Sequence, residues 1–178
     1  NALNASDGND NISLSDGTNV VFTGAGQDVI TAQGGSHDIN SGPGDDIINI
    51  SASSALNTID TGSGNDSISI TGGENTLSTS DGNDSLTILD GTNVVNNGNG
   101  QDIINILPGA NEINSGLDSD TITISGGTNT INSGGGDDNI TMSAGVNNID
   151  SGSGNDIITA SGGSSNVDIR SLDGGEGN

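Results

Sequence analysis

The sequence predicts an all-β protein: a flattened parallel β-solenoid of about nine 18-residue coils, each with two short strands. A Gly-x-Gly-x-Asp pattern returns every 18 residues, and apolar residues recur in phase within each period. Glycine and β-branched residues recur too often for helices, and the apolar alternation lasts only a few residues, as in short strands. Stacked coils would bury thin apolar columns, which explains how a chain that is only 28% hydrophobic can fold.

Each period divides into two unlike halves, an acidic half and an amide half. The acidic half is clearest in residues 61–70 and the amide half in residues 125–133. The acidic half always contains the same aspartate, at Asp10, Asp28, Asp46, Asp66, Asp84, Asp102, Asp120, Asp138 and Asp156. The amide half carries at the equivalent place Asn19, His37, Asn57, Asn75, Asn93, Asn111, Asn129, Asn147 and Ser165.

Apolar columns are predicted to form the core. The acidic half carries two apolar positions separated by two residues, as at Ile68 and Ile70, which places both on one face of a strand. The amide half supplies one column, which consists of Val21, Ile39, Ile59, Leu77, Val95, Ile113, Ile131, Ile149 and Val167.

Several irregularities interrupt the period. Residues 51–61 hold eleven residues where nine are expected, which predicts a two-residue bulge or a longer turn near Ser53 and Ser54. The glycine pair is broken at Leu117 and Asp118, so Asp118 either adds a ligand or distorts the turn that precedes Asp120. We expect one repeat array over residues 1–178, with regular coils in 5–169 and the irregular start of a further coil in 170–178. Both ends cut the repeat within a unit, which suggests an excerpt from a longer array.

The charge balance narrows the possible partners. There are 24 acidic residues and one basic residue, Arg170, for a formal net charge of −23, which repels nucleic acids and anionic membranes and attracts cations. The sequence shows no membrane-spanning run and no cysteine. An enzyme is not expected, because the single histidine, His37, occupies an Asn-column position and the abundant serines have no base beside them. Polysaccharide-acting solenoid enzymes need catalytic Lys, Arg, Tyr or His, which this chain almost lacks.

Stacked coils would place the nine aspartates in a row at roughly 5 Å spacing, and like charges at that distance destabilise a fold. A cation is therefore expected between them. Carboxylates and the carbonyls of an open Gly-x-Gly turn are hard, flexible oxygen ligands, which favour Ca²⁺ over Mg²⁺ and over soft metals.

The repeats resemble RTX (repeats-in-toxin, hemolysin-type) calcium-binding nonapeptides, in which Gly-Gly-x-Gly-x-Asp is followed by x-apolar-x, and the resemblance extends from Ala5 to Ile169. It implies a right-handed parallel β-roll that holds Ca²⁺ between consecutive turns through the aspartates and turn carbonyls. The implied glycine ligands are Gly8, Gly26, Gly44, Gly64, Gly82, Gly100, Gly136 and Gly154.

One departure from that family concerns the second edge of the roll. RTX repeats usually carry the aspartate in both turns, whereas here one turn carries a neutral asparagine. We therefore expect one calcium row of about eight ions, in the eight gaps between nine turns. The opposite edge is expected to be a ladder of stacked amides, formed by Asn19, Asn57, Asn75, Asn93, Asn111, Asn129 and Asn147. This one-sided arrangement resembles the calcium-bound solenoid of giant bacterial ice-binding adhesins.

These features predict a secreted or cell-surface structural module that folds on binding calcium, such as an adhesin stalk, a surface layer or a filament. Ice binding or another adhesive face is one alternative, although the outward columns are irregular and no threonine lies between the two glycines of any calcium turn. A self-assembling filament or sheath subunit is another, because uncapped solenoid ends expose strand edges that could associate end to end.

Overall fold

A computed structural model describes residues 1–51, 56–161 and 167–171, with side chains described up to Ser161. The described residues contain strands and turns and no helix. The strands are β1 (Ala2–Asn4), β2 (Asn11–Leu14), β3 (Thr18–Phe22), β4 (Val29–Gln33), β5 (Ser36–Asn40), β6 (Ile47–Ser51), β7 (Leu56–Asp60), β8 (Ser67–Ser78), β9 (Ser85–Asn96), β10 (Ile103–Ile106), β11 (Ala110–Asn114), β12 (Thr121–Ile124), β13 (Thr128–Asn132), β14 (Asn139–Met142), β15 (Val146–Asp150), β16 (Ile157–Ala160) and β17 (Val167–Ser171).

The predicted solenoid of about nine turns is confirmed. Every strand pairs in parallel with the equivalent strand one coil away, usually at a spacing of 18 residues, as in Ile104↔Ile122 and Ile113↔Ile131. One ladder joins the acidic strands β2, β4, β6, β10, β12, β14 and β16, and the other joins the amide strands β1, β3, β5, β7, β11, β13, β15 and β17. The strands β8 and β9 belong to both ladders.

The core lies between the two ladders and consists of the predicted apolar columns. Ile30, Ile48, Leu86 and Ile104 are completely buried, and so is the amide column at Val21, Leu77 and neighbouring coils. The columns are less buried in the outermost coils, where Leu14 and Ile158 are only partly covered. Most of the apolar surface is thus removed from water in a thin layer, which is the main favourable contribution to folding.

Strands β8 and β9 differ from the prediction of two short strands in every coil. Each is 12 residues long and runs through the turn between the acidic and the amide halves. The pairing slips there, because Thr71 lies opposite Asp90 and is one residue out of the 18-residue spacing, as in a β-bulge.

Two coils contain 20 residues. Asp38 pairs with Thr58 and Ile47 with Ser67, which confirms the two-residue insertion predicted within residues 51–61, although Ser53 and Ser54 themselves lie outside the described residues. The last described coil is also longer than predicted, because Asn147 pairs with Val167 and Ile149 with Ile169.

The assignment of Val167 to the apolar column was therefore wrong, since Ile169 holds that register. Ser165, which was assigned to the asparagine column, lies outside the described residues. A shift of two residues preserves the inward and outward alternation of a strand, so the sequence pattern could not distinguish the two registers.

Candidate calcium row

The nine predicted aspartates form one continuous row at the edge of the solenoid. Each precedes an acidic strand, and from Asp10 to Asp138 its backbone carbonyl accepts the first N–H of the next acidic strand, as in Ile103 N–H to Asp84 at 2.8 Å. The backbone N–H of each aspartate donates to Oδ1 of the aspartate in the following coil, from Asp10 to Asp28 and onward to Asp156, at 2.7–3.0 Å. Seven of them, from Asp28 to Asp138, are 1% exposed. The row is consequently internal and fixed on both its backbone and its side chains.

The second carboxylate oxygen has no partner in this row. Oδ2 is buried and makes no hydrogen bond in Asp10, Asp28, Asp46, Asp66, Asp84, Asp102, Asp120 and Asp138. A buried, unpaired carboxylate is costly because it has lost its water without gaining a compensating charge. The only basic side chain of the sequence is Arg170, whose side chain lies outside those described.

Burial shifts the protonation of the row in the direction expected for charge without compensation. Desolvation raises the pKa of Asp66 and Asp120 to about 6 and that of Asp102 to about 7, and neighbouring row carboxylates raise each of them further. The same burial raises the pKa of Asp46, Asp84 and Asp138, opposed by the backbone N–H that each accepts. The row therefore holds either protons or a compensating cation more readily than ordinary surface aspartates do.

The glycine turns beside the row require close contact between coils. At Gly44, where φ is +148°, an added Cβ would collide with the carbonyl oxygen of Gly26 in the preceding coil. The same contact recurs at the predicted glycine positions from Gly26 to Gly154, so these turns stack closely from coil to coil. Their carbonyl oxygens are hard neutral groups two residues before the aspartates in the chain, and their assignment as ligands stays a prediction.

The irregular turn before Asp120 keeps the general form of its neighbours. Asp118 occupies the second glycine position and adopts a left-handed φ of +75°. Leu117 bridges both adjacent turns, and Asp120 still accepts the N–H of Asp102 at 2.9 Å. The distortion considered for this turn is thus limited to backbone strain at Asp118, whose charge also raises the pKa of Asp120.

The donor set fits a hard divalent cation. Among the described residues no group of three or more His, Cys, Asp or Glu side chains converges on one point, so side chains alone do not build a cage. Carboxylate oxygens from adjacent coils and backbone carbonyls would have to share the coordination. Ca²⁺ accepts such mixed and irregular oxygen sets, whereas Mg²⁺ demands near-ideal octahedral geometry.

A further buried polar column, which the sequence analysis missed, lies five residues before each aspartate from Asp28 to Asp156. Its members are small and almost completely buried, and they are Thr23, Ser41, Thr61, Thr79, Asn97, Ser115, Ser133 and Ser151. Several donate a hydroxyl to the backbone carbonyl of the next member, as in Thr23 to Ser41 at 2.8 Å and Ser115 to Ser133 at 2.9 Å. The signal was available in the sequence, because a hydroxyl or amide residue recurs five residues before the aspartate in eight successive coils.

The asparagine column at the opposite edge forms the predicted ladder. Nδ2 of each residue donates to Oδ1 of the next, from Asn57 through Asn147, at 2.6–2.8 Å. A second bond from Nδ2 to a backbone carbonyl three residues earlier recurs, for example from Asn129 to Gly126 at 2.9 Å. Every described member between Asn19 and Asn147 is at most 5% exposed, so this edge is closed and electrically neutral.

His37 interrupts that ladder without leaving it. It is 2% exposed, its Nδ1 lies 3.2 Å from Nδ2 of Asn19, and its Nε2 lies 2.6 Å from the carbonyl oxygen of Gly34. Its link to the next coil uses the backbone N–H, which donates to Oδ1 of Asn57 at 3.0 Å. His37 is thus a buried structural member of the ladder.

Fold and site together define a parallel β-solenoid with an acidic edge whose carboxylates each leave a buried oxygen unpaired. The family model that matches this chain is the RTX calcium-binding nonapeptide repeat, at residues 1–30, 13–48, 51–84, 69–104, 123–158 and 143–164. These matches cover more than half of the chain, so it belongs to the RTX calcium-binding repeat family, whose repeats bind calcium. No curated protein matches the chain significantly. Within the described part of the chain, no helix is long and apolar enough to span a membrane.

Proposed function

We propose that this chain is a calcium-stabilised structural module of a secreted or surface-attached bacterial protein, such as an adhesin stalk, a surface layer or a filament. The observation that carries the proposal is the row of eight buried carboxylate oxygens without a partner. Such a row is unfavourable by itself and becomes favourable once a cation lies beside each carboxylate. Calcium binding and folding are then one event.

The dependence of folding on calcium follows from the charge of the chain. In a calcium-poor compartment a chain with a net charge of −23 resists collapse, which suits export in an unfolded state. Outside the cell, calcium that binds only the folded form stabilises it by mass action. About eight divalent ions, one for each gap in the row, would cancel roughly two thirds of that net charge.

A mechanical role is supported better than a catalytic or an ice-binding one. The only histidine is buried in the ladder with both ring nitrogens engaged, so it is not a free base. The outward face of the acidic strands exposes Ile47, Ile103 and Ile157 by 45%, 50% and 62%, scattered among polar residues. A regular, flat array of threonine or Asx residues, which ice binding requires, is not formed on that face.

The proposal is tested by far-ultraviolet circular dichroism during a calcium titration after EDTA treatment, with Mg²⁺ at equal concentration as the control. We expect a coil-like spectrum in EDTA and a cooperative gain of β-structure with calcium alone. A spectrum that is already β-rich in EDTA and unchanged by calcium would rule out calcium-gated folding.

A further inference from the structure

One turn of the solenoid carries a sequence that the other turns lack. Residues 97–100, which precede Asp102, read Asn-Gly twice in succession, and no other asparagine of the sequence is followed by glycine. The ladder asparagines are mostly followed by β-branched residues, as Val94 follows Asn93. A β-branched neighbour hinders attack on the asparagine side chain by the next backbone nitrogen, whereas glycine, which has no side chain, leaves that attack open.

Asn99 is exposed at the outer edge of this turn, and the fold holds it between two neighbouring coils. Its N–H donates to the carbonyl of Ser80 at 3.0 Å, and its Nδ2 donates to Oδ1 of Asp81 at 2.7 Å. The N–H of Gly100, which would have to attack, donates to the carbonyl of Leu117 at 3.3 Å. The side-chain amide and the attacking nitrogen are therefore each bonded to a different coil.

Asn97 is restrained by packing. It is 0% exposed, and its N–H donates to the carbonyl of Asn114 at 2.8 Å. Its own carbonyl accepts the hydroxyl of Thr79. The carbonyl oxygen of Gly98 lies so close to Gly116 that an added Cβ there would collide with it. Attack on the Asn97 side chain requires rotation of the peptide group that follows it, and these contacts oppose that rotation.

We propose that residues 97–100 form a deamidation site, which reacts while the chain is unfolded and is protected once the coils stack. The backbone nitrogen of Gly98 or Gly100 gives up its proton and bonds to Cγ of the preceding asparagine, and the Cγ–Nδ2 bond breaks to release ammonia. Water then opens the resulting cyclic imide at either carbonyl. The products are aspartate and isoaspartate, so that water is exchanged for ammonia without any oxidation.

The products do not fit the folded coil. A carboxylate at Asn97 would be buried where Oδ1 and Nδ2 of the present amide have no partner, so no donor would compensate its charge. A carboxylate at Asn99 would face Asp81, and like charges on facing residues of adjacent strands are destabilising. Isoaspartate adds an atom to the main chain and so shifts the turn that leads to Asp102. A long period in the unfolded state therefore prevents this coil from closing. The inference rests on the proposed function only in taking calcium as the factor that folds the chain.

The first test compares the parent chain after equal incubation in calcium, in EDTA and in urea with EDTA. Cleavage before aspartates releases residues 90–101, in which mass spectrometry assigns each conversion, and Asn93 and Asn96 serve as internal controls. In urea and in EDTA we expect conversion at Asn97 and Asn99 with the two controls unchanged. In calcium the conversion should be at least about 100-fold slower, because only rare, locally opened molecules react.

Three results decide the matter. Absence of selective conversion at Asn97 and Asn99 in urea would overturn the site, and conversion in calcium as fast as in urea would overturn the protection. If the site reacts in urea while the EDTA sample is as protected as the calcium sample, the deamidation site stands and the calcium-dependent folding of the proposed function fails.

A second test measures the consequence of the modification with the double variant Asn97→Ser, Asn99→Ser. Serine occupies the equivalent places at Ser115 and Ser153, so the variant is expected to fold. After the same incubation in EDTA, circular dichroism should show that the variant regains all of its calcium-induced β-structure. The parent should lose that gain in proportion to the fraction converted. Equal losses in the two chains would overturn the proposed effect on the coil.

Discussion

At each edge of this solenoid one polar side chain stacks on the equivalent side chain of the next coil, but the two edges differ in how their hydrogen bonds are satisfied. On the amide edge Asn93 receives the amide of Asn75 and gives its own to Asn111, so donors and acceptors match from coil to coil. On the acidic edge Asp84 accepts one backbone N–H through Oδ1, and its Oδ2 is left unpaired. A carboxylate has only acceptors, so it cannot form a self-complementary ladder as an amide does. The amide edge is complete as it stands, and the acidic edge requires something from outside the chain.

The largest expected effect comes from turning one step of the acidic edge into the amide type. Asp84→Asn keeps the shape and removes the charge, so calcium affinity at the two flanking gaps should fall by on the order of 100-fold or more, beyond the effect of a merely supporting residue. The calcium-free fold should become more stable, because a buried carboxylate with a raised pKa is gone. Calorimetric calcium titration measures the loss of affinity, and the β-structure content in EDTA, followed by circular dichroism, measures the gain in stability of the calcium-free fold.

The reciprocal change, Asn93→Asp, is the control for that exchange. It puts an unneutralised carboxylate into the ladder and removes both donors of Asn93, to Asn111 and to the carbonyl of Asp90. We expect a loss of about 3 kcal/mol in the free energy of unfolding at saturating calcium, with the number of bound calcium ions unchanged. If the two variants changed calcium binding and stability in the same way, the two edges would not differ as described.

The next largest expected effect is the pH dependence of the stability of the calcium-free fold. The row carboxyls have folded-state pKa values raised from 3.8 to about 6 at Asp66 and about 7 at Asp102, so protons bind the folded form more tightly. Their contribution to stability is fully present below about pH 4 and is lost as the pH rises through 6 to 7. Acidification from pH 8 to pH 4 in EDTA should therefore increase β-structure measured by circular dichroism.

Calcium provides the control for that titration. Since protons and calcium compete for the same carboxylates, acidification at constant calcium should weaken calcium binding. A calcium-free chain whose β-content falls on acidification toward pH 4 would contradict the burial of an uncompensated row.

The smallest expected effect is at His37, which interrupts the asparagine ladder of the amide edge. His37→Asn should replace the imidazole contact to Asn19 with an amide of the ladder type and restore a side-chain bond to Asn57. We expect a gain of about 1 kcal/mol, the usual value of one hydrogen bond, in the free energy of urea unfolding at saturating calcium. Asn40→Ser, a change at a half-buried residue that affects only the bond to Asp60 at 3.2 Å, is the comparison. A loss of stability in His37→Asn would show that the imidazole packs better than the amide.

Much of this molecule could be predicted from its repeat. The aspartate row, the asparagine ladder and the buried columns follow from one period, because identical positions meet when coils stack. The register of the last coil could not be predicted, because a shift to Ile169 preserves strand alternation. The column that includes Ser115 and Asn97 was missed because residues so close to a glycine turn are usually assigned to the exposed loop.

The sequence by itself determined the solenoid and its two unlike edges, and it predicted a hard cation beside the acidic edge, since these depend only on which residue types recur in phase. Only the tertiary structure decided which oxygen of each aspartate is satisfied. That outcome depends on the approach of one coil's N–H groups to the next coil's carboxylates, at 2.7–3.0 Å. It also left the Thr61 hydroxyl and the Asn97 amide of the buried column without a partner, because an unpaired group is defined by its surroundings and not by its place in the repeat.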